Sequence, residues 1–150
     1  MEKTPAGAMN EPSLPPRNVR LKSAGRRKGI SAQDKGRLYG CVNAVLDKKA
    51  EDVVVLDLRG LSAVADFFII CHGNSQRQVQ AISDGVEMAL RNQGARDYNV
   101  EGRATSSWVL LDFHDVVVHV FHGATRAYYA LEKLWSDARR IDSGEIMAWG

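Results

Sequence analysis

The turn Gly73-Asn74-Ser75 is the first place where the residue types suggest chemistry. It stands between an apolar run and a helical pattern, and the free amides at a helix start can hold a phosphate group. Nucleotidyltransferases combine such a turn with paired carboxylates, commonly Asp-x-Asp, that hold Mg²⁺ against a triphosphate. No two of the 18 acidic residues of this sequence are spaced by two. We therefore favour an ordinary capped helix, while carboxylates that converge from distant positions keep nucleotidyl transfer open as an alternative.

Histidines are the next candidates, because His119 and His122 form an H-x-x-H motif and His72 and His114 complete the set. A zinc site needs a third ligand that converges with these two. If residues 116–121 form a strand, His119 projects from one face while His122 lies past the end, so joint coordination is awkward. We expect His119 to be a hydrogen-bonded histidine of the core or of the sheet end.

The two cysteines, Cys41 and Cys71, lie in apolar stretches and form no C-x-x-C motif. We interpret them as small buried side chains rather than as nucleophiles or disulfide partners. The sequence also has no Gly-x-Ser-x-Gly motif, Walker motif or dinucleotide-binding fingerprint. We predict no catalytic residue, no metal site and no cofactor.

A β-strand over residues 108–113 would place Trp108, Leu110 and Asp112 on one face, because side chains alternate along a strand. A tryptophan beside an aspartate on a partly open sheet face is typical of a protein-binding hot spot. The ring supplies an apolar anchor, and the carboxylate gives direction to basic groups of the partner. The alternative is that Trp108 packs under a helix, and the residues alone support the two interpretations equally.

The hydrophobic pattern predicts the elements that position these residues, in the order helix, two strands, helix, three strands, helix. Ser31 and the capping box Ser75-Gln76-Arg77-Gln78 mark two helix starts. Two strands are apolar on both faces and need helices on each side of the sheet. We predict an α/β fold with a five-stranded mixed sheet flanked by helices. The predicted helices run from Ser31 to Ala50, from Ser75 to Gly94 and onward from Thr125, and the strands lie at 53–58, 67–71, 98–101, 108–113 and 116–121.

Charge divides the chain into unequal parts. Residues 1–30 hold seven Lys or Arg, two Glu and all four prolines, whereas residues 31–150 hold 13 basic and 16 acidic residues. We predict a disordered basic tail at 1–30, one folded domain at 31–141 and a flexible C-terminal tail at 142–150. The folded part is net acidic, which suits a basic protein partner better than RNA phosphates. Arg26-Arg27-Lys28 in the basic tail would be the contact with RNA once the folded part has docked, but we favour a tail that only keeps the protein soluble.

The compartment follows from what the sequence does not contain. No stretch approaches the length of an apolar membrane-spanning segment, and the N-terminus lacks the apolar centre of a secretory signal. Two isolated cysteines fit a reducing environment. We expect a cytoplasmic protein.

Seven stretches of the sequence carry a resemblance to a known family. They are Val-Val-Val-Leu-Asp-Leu-Arg-Gly-Leu-Ser at 53–62, Ala-Asp-Phe-Phe-Ile-Ile at 65–70, Gly-Asn-Ser-Gln-Arg-Gln-Val-Gln-Ala at 73–81, Val-Glu-Gly at 100–102, Trp-Val-Leu-Leu-Asp-Phe at 108–113, Asp-Val-Val-Val-His-Val-Phe at 115–121, and Tyr129-x-Leu131-Glu132-x-Leu134-Trp135. Through these stretches, residues 51–141 resemble the ribosomal silencing factor, or Iojap, family. The resemblance covers nearly the full length of that family's domain. Asn74 stands where members often have Thr, and His114 stands where Gly is usual in the turn. The second departure predicts a strained or differently shaped hairpin bend.

The resemblance implies a fold similar to that of nucleotidyltransferases without their catalytic carboxylates. It also implies a translation repressor that binds protein fourteen of the large ribosomal subunit, blocks joining of the small subunit sterically and lowers translation when nutrients are limiting. Such a mechanism requires no enzyme activity. Carried onto this chain, the resemblance makes Trp108, Leu110 and Asp112 partner contacts, with Asp115 and Glu101 as weaker acidic candidates.

One further expectation concerns the oligomeric state, and two alternatives to the repressor remain. An exposed sheet edge would allow a homodimer. A nucleotidyltransferase-like enzyme and an RNA-binding module led by residues 17–28 stay open as alternatives to the repressor.

Overall fold

The structure is a computed structural model that describes residues 29–150. The predicted basic tail therefore lies outside the described residues, apart from its last two positions. Ser31 caps the first helix as predicted, since its Oγ accepts a hydrogen bond of 3.1 Å from the Asp34 amide. The elements in chain order are α1 (Ala32–Asp47), β1 (Glu51–Asp57), β2 (Phe67–Gly73), α2 (Gln76–Asn92), β3 (Asn99–Glu101), β4 (Trp108–Asp112), β5 (Val116–His122), α3 (Gly123–Tyr129), α4 (Leu131–Leu134), β6 (Arg139–Ile141) and α5 (Ser143–Met147).

One mixed sheet organises the domain, in the strand order β3-β4-β5-β2-β1-β6. The central pair, β2 and β5, is parallel, and the other neighbouring pairs are antiparallel. The α/β class with a mixed sheet is confirmed, but the sheet has six strands where we predicted five. The sixth strand, β6, is three residues long and begins with two arginines, so it lacks an apolar pattern and forms through pairing with β1.

Two hydrophobic cores lie on opposite faces of the sheet, as the doubly apolar strands predicted. The first core packs α1, α2 and α5 against side chains such as Phe67, Ile69 and Val118. The second core lies on the other face, where residues of α4 and its C-terminal neighbour meet Phe68, Trp108 and Phe121. No residue between 123 and 138 belongs to the first core among the described residues.

The segment after β5 differs from the single helix that we predicted from Thr125. It forms two short helices, α3 and α4, that meet at Ala130, whose φ of 47° lies in the left-handed region. Thr125 caps neither helix, because α3 already begins at Gly123. A left-handed residue cannot continue a right-handed helix, and the chain therefore turns at Ala130.

The C-terminal residues also differ from the expectation of a flexible tail at 142–150. Ile146 in α5 is fully buried in the first core, with Met147 and Trp149 packed around it. The ammonium group of Lys35 in α1 lies 5.3 Å from the centre of the Trp149 ring. Burial of one isoleucine and the edge of two other apolar residues offsets the entropy cost of ordering this short helix. Within residues 29–150, no helix combines the length and apolar character that crossing a membrane demands.

Candidate functional site

Trp108, the predicted anchor of the partner-binding face, is buried inside the chain. Its side chain is 1% exposed, and its indole Nε1 donates a hydrogen bond of 3.1 Å to Nδ1 of His119. The indole also stacks on Phe121 at 5.0 Å between ring centres and meets Tyr129 at 4.7 Å. This corrects the interpretation of Trp108 as an exposed anchor in the free chain, because α3 and the residues after it cover that face.

Leu110, the second predicted contact, lies in the same covered core and is 7% exposed. It is paired across the strands with His119 on one side and with Glu101 on the other. Alternation correctly placed Leu110 and Trp108 on one face. It did not show that Leu131 and Trp135 cover this face, since those residues come from a distant part of the sequence.

Asp112, the third predicted contact, is half-buried at the end of β4 and stabilises the hairpin turn. Its Oδ1 accepts a hydrogen bond of 2.8 Å from the amide of His114. His114 has a φ of 76°, so the strained bend predicted from a histidine at a glycine position is confirmed. One oxygen of Asp112 is thus engaged within the turn.

Asp115, a weaker candidate, is held by α1. The Arg37 guanidinium lies 2.6 Å from its Oδ1 and also donates a 2.9 Å hydrogen bond to the carbonyl of Phe113. Although partial burial opposes ionisation, hydrogen bonds from Asp34 and Arg37 hold the pKa of Asp115 below its ordinary value. Burial and the neighbouring Asp115 carboxylate raise the pKa of Asp34 to about 6. Asp115 therefore joins the hairpin to α1.

Glu101, the other weaker candidate, is exposed on the edge strand β3. Because Glu101 pairs with Leu110 and Asn99 pairs with Asp112, all four side chains belong to the face of the sheet that carries Trp108. The two carboxylates border the covered apolar face at the open edge of the sheet. Of the five candidates, Glu101 alone is exposed rather than buried or half-buried.

His119 is a fully buried core residue, as we expected. Burial lowers the pKa of its imidazole to about 3, so the ring is neutral at physiological pH. Its Nδ1 accepts the hydrogen bond from Trp108, which places the proton of the neutral ring on Nε2. Over the described part of the chain, no cluster of three or more His, Cys, Asp or Glu side chains is arranged to hold a metal ion.

The turn before α2 is filled by the side chains of the protein itself. Ser75 Oγ accepts a 3.0 Å hydrogen bond from the Gln78 amide, as the capping box predicted. The Gln78 side chain does not return to Ser75, because its Oε1 accepts a 2.8 Å hydrogen bond from the Asn74 amide. Asn74 in turn donates from Nδ2 to Glu51. The amides of Asn74 and Gln78 at this helix start are therefore bonded to side chains of the chain itself.

A buried arginine holds α3 and α4 together, and the sequence patterns did not predict it. Arg126 donates from Nε and Nη2 to Oε2 of Glu132, at 3.0 and 2.7 Å. Its Nη1 lies 3.0 Å from Nδ1 of His72 and 3.3 Å from the carbonyl oxygen of Glu51. We call these four residues the latch. The predicted helix from Thr125 and the motif that contains Glu132 both fall in this region, but neither indicated the contacts of Arg126.

Comparison with known proteins gives consistent matches. The family described as "Ribosomal silencing factor during starvation" matches residues 31–148. The chain is 55% identical over 101 residues to the ribosomal silencing factor RsfS of Halalkalibacterium halodurans, covering 67% of this chain and 86% of that protein. It is 52% identical over 96 residues to RsfS of Bacillus subtilis, covering 64% and 81%. The chloroplastic protein Iojap of Zea mays is 37% identical over 102 residues, covering 66% of this chain and 43% of that protein.

Two solved structures share the fold. A crystal structure of a Bacillus halodurans protein has a TM-score of 0.63 and 51% identity, covering 70% of this chain and 95% of that one. An X-ray structure of a Chromobacterium violaceum protein has a TM-score of 0.65 and 36% identity, covering 71% and 88%.

Proposed function

The chain belongs to the ribosomal silencing factor family, and we propose that it represses translation by binding the large ribosomal subunit through that subunit's protein fourteen. The bound domain blocks joining of the small subunit and so lowers translation when nutrients are limiting. The observation that carries this proposal is the family match over residues 31–148, which spans nearly the whole described domain.

A steric mechanism needs a rigid domain, an interface of ordinary size and no reaction. The two cores and the six-stranded sheet supply rigidity. Glu101 and Asp112 supply a carboxylate border at the open edge of the sheet, which fits the Lys and Arg side chains of a basic ribosomal protein. In this proposal the protein acts in the cytoplasm, and no catalytic group takes part.

Sedimentation of ribosomal subunits in sucrose gradients, with the purified full chain added, tests the proposal. We expect the chain to move with free large subunits and the monosome peak to fall as the concentration of the chain rises. Subunit joining that proceeds unchanged at saturating chain would overturn the repressor mechanism. Failure to associate with large subunits would overturn the binding step itself.

A further inference from the structure

The face that carries Trp108 is covered by residues 123–135, which we call the cover segment. Its two helices have seven and four residues, and no side chain caps the start of either one. They meet at Ala130, whose left-handed backbone is disfavoured for a residue with a Cβ atom. Short, uncapped helices gain little stability of their own, so the cover segment depends on its contacts with the rest of the domain.

Those contacts comprise the latch and an apolar layer. In the latch, Arg126 is 9% exposed and joins Glu132 of the cover segment to His72 at the end of β2. In the apolar layer, Leu131 and Trp135 enter the second core, where Trp135 meets Phe68 edge-on at 5.9 Å. The first core lies wholly on the other side of the sheet. The sheet therefore keeps one covered face if the cover segment moves away.

The closed arrangement leaves the buried Nε2 of His119 without a hydrogen-bond partner among the described residues. Trp108 fixes the neutral tautomer of His119 with its proton on Nε2, and this atom has no acceptor among the described residues. A buried polar group without a partner destabilises the state that buries it. Opening the cover segment would give Nε2 an acceptor from solvent or from a partner.

The border of the covered face indicates what would bind there. Glu101 and Asp112 lie on this face at its open edge, next to Leu110. A partner with Lys or Arg groups around an apolar side chain complements this arrangement, because the cations meet the carboxylates while the apolar group meets Trp108. Phosphate groups of RNA would be repelled by the same carboxylates.

We propose that the cover segment is displaced during binding, and that the uncovered face of Trp108, Leu110 and Phe121 receives an apolar side chain of a basic ribosomal protein. This inference rests on the proposed function. It also explains how residues that the free chain buries can contact a partner. The closed form then lowers the apparent affinity, because only the open fraction of the molecules is able to bind.

Hydrogen exchange and binding of two matched variants test the proposal. Glu132→Gln removes the carboxylate that pairs with Arg126 in the latch, whereas Glu87→Gln removes a similar carboxylate on α2 that pairs with Arg103. The two glutamates are 22% and 24% exposed. In the full chain, we expect Glu132→Gln to speed amide exchange of residues 126–134 and to strengthen binding to purified large subunits, each by about three- to tenfold. Glu87→Gln should change neither quantity.

A further variant of the cover segment keeps the test decisive if Glu132→Gln does not fold. Trp135→Phe shortens the largest side chain of the cover segment and should act in the same direction as Glu132→Gln. Cover-segment exchange and affinity that stay at wild-type values in every variant that folds would overturn the proposal. If the wild type itself ignores large subunits, the proposed function fails, while the exchange data still report whether the cover segment opens.

The identity of the partner is tested with isolated ribosomal protein fourteen and with isolated rRNA. Binding of the protein that is stronger for Glu132→Gln than for Glu87→Gln supports the proposal. Binding to the rRNA alone, with the same preference for Glu132→Gln, would overturn the assignment of a basic protein to this face.

Discussion

The indole nitrogen of Trp108 donates a 3.1 Å hydrogen bond to Nδ1 of His119, and both side chains are almost completely buried. The bond joins neighbouring strands, β4 and β5, in the centre of the second core. It satisfies the only polar hydrogen of the indole and sets the protonation of the imidazole. A residue that looked like a surface anchor is therefore part of the core of the free chain.

The first prediction follows from that burial. Trp108→Ala should lower the free energy of unfolding by about 3–5 kcal/mol, because it leaves a large cavity and removes the hydrogen bond to His119. Urea unfolding followed by far-ultraviolet circular dichroism measures the change. Trp149→Ala is the matched control, since Trp149 is half-buried near the C-terminus and should cost much less. Equal losses in the two variants would contradict the burial of Trp108.

Trp108 also shows what could be predicted from the sequence and what could not. The period of two along 108–113 gives the residues that share a face, because this alternation is a local property of a strand. What covers the face depends on Leu131 and Trp135, which lie more than 20 positions away, and no local pattern reports that distance. The sequence therefore placed Trp108 and Leu110 together but left their exposure open.

The difference between local patterns and contacts from distant parts of the sequence also explains which other elements were predicted correctly and which were missed. Ser31 and Ser75 were predicted correctly as helix caps, because each bonds an amide three residues ahead. Strand β6 was missed, because Arg139 and Arg140 become a strand only through pairing with β1. The latch was missed for a similar reason, since Arg126 and His72 are brought together by the ends of β2 and β5.

The second prediction concerns pH. His119 has a pKa lowered to about 3 in the folded protein, against an ordinary value of 6.5, because burial disfavours the charged ring. Between these values the unfolded chain binds a proton that the folded protein does not, so stability is complete above pH 6.5 and falls on acidification. The expected slope is roughly 1 kcal/mol per pH unit. Urea unfolding at pH 7 and pH 5 measures it, and His119→Gln should show a smaller difference than the wild type.

Val64→Ala is the control for this pH experiment, because Val64 is an exposed side chain without a titratable group and its loss leaves His119 in place. Asp34, whose pKa is raised to about 6, contributes with the opposite sign and gains stability on acidification. Asp34 is present in all three proteins, so comparing them isolates His119. A His119→Gln variant with the full wild-type pH dependence would rule out this role.

The third prediction tests the C-terminal helix. Ile146→Ala should lower the free energy of unfolding by about 2–4 kcal/mol, because the Ile146 side chain extends from α5 into the first core and is fully buried there. Val64→Ala, at a side chain that is 47% exposed, should change it by less than about 0.5 kcal/mol. Thermal and urea unfolding of both variants provide the measurement. A negligible effect of Ile146→Ala would restore the expectation of a flexible tail at 142–150.

The fourth prediction separates the repressor from an RNA-binding module. Deletion of residues 1–28 removes the seven basic residues of the tail and two glutamates, and leaves the domain that the family match covers. We expect the shortened chain to sediment with large subunits as the full chain does, because the proposed interface is an acidic border on a folded face. Its association should also depend less steeply on salt than that of the full chain, since fewer phosphate contacts are available. Loss of association after the deletion would instead assign ribosome binding to contacts between the tail and rRNA.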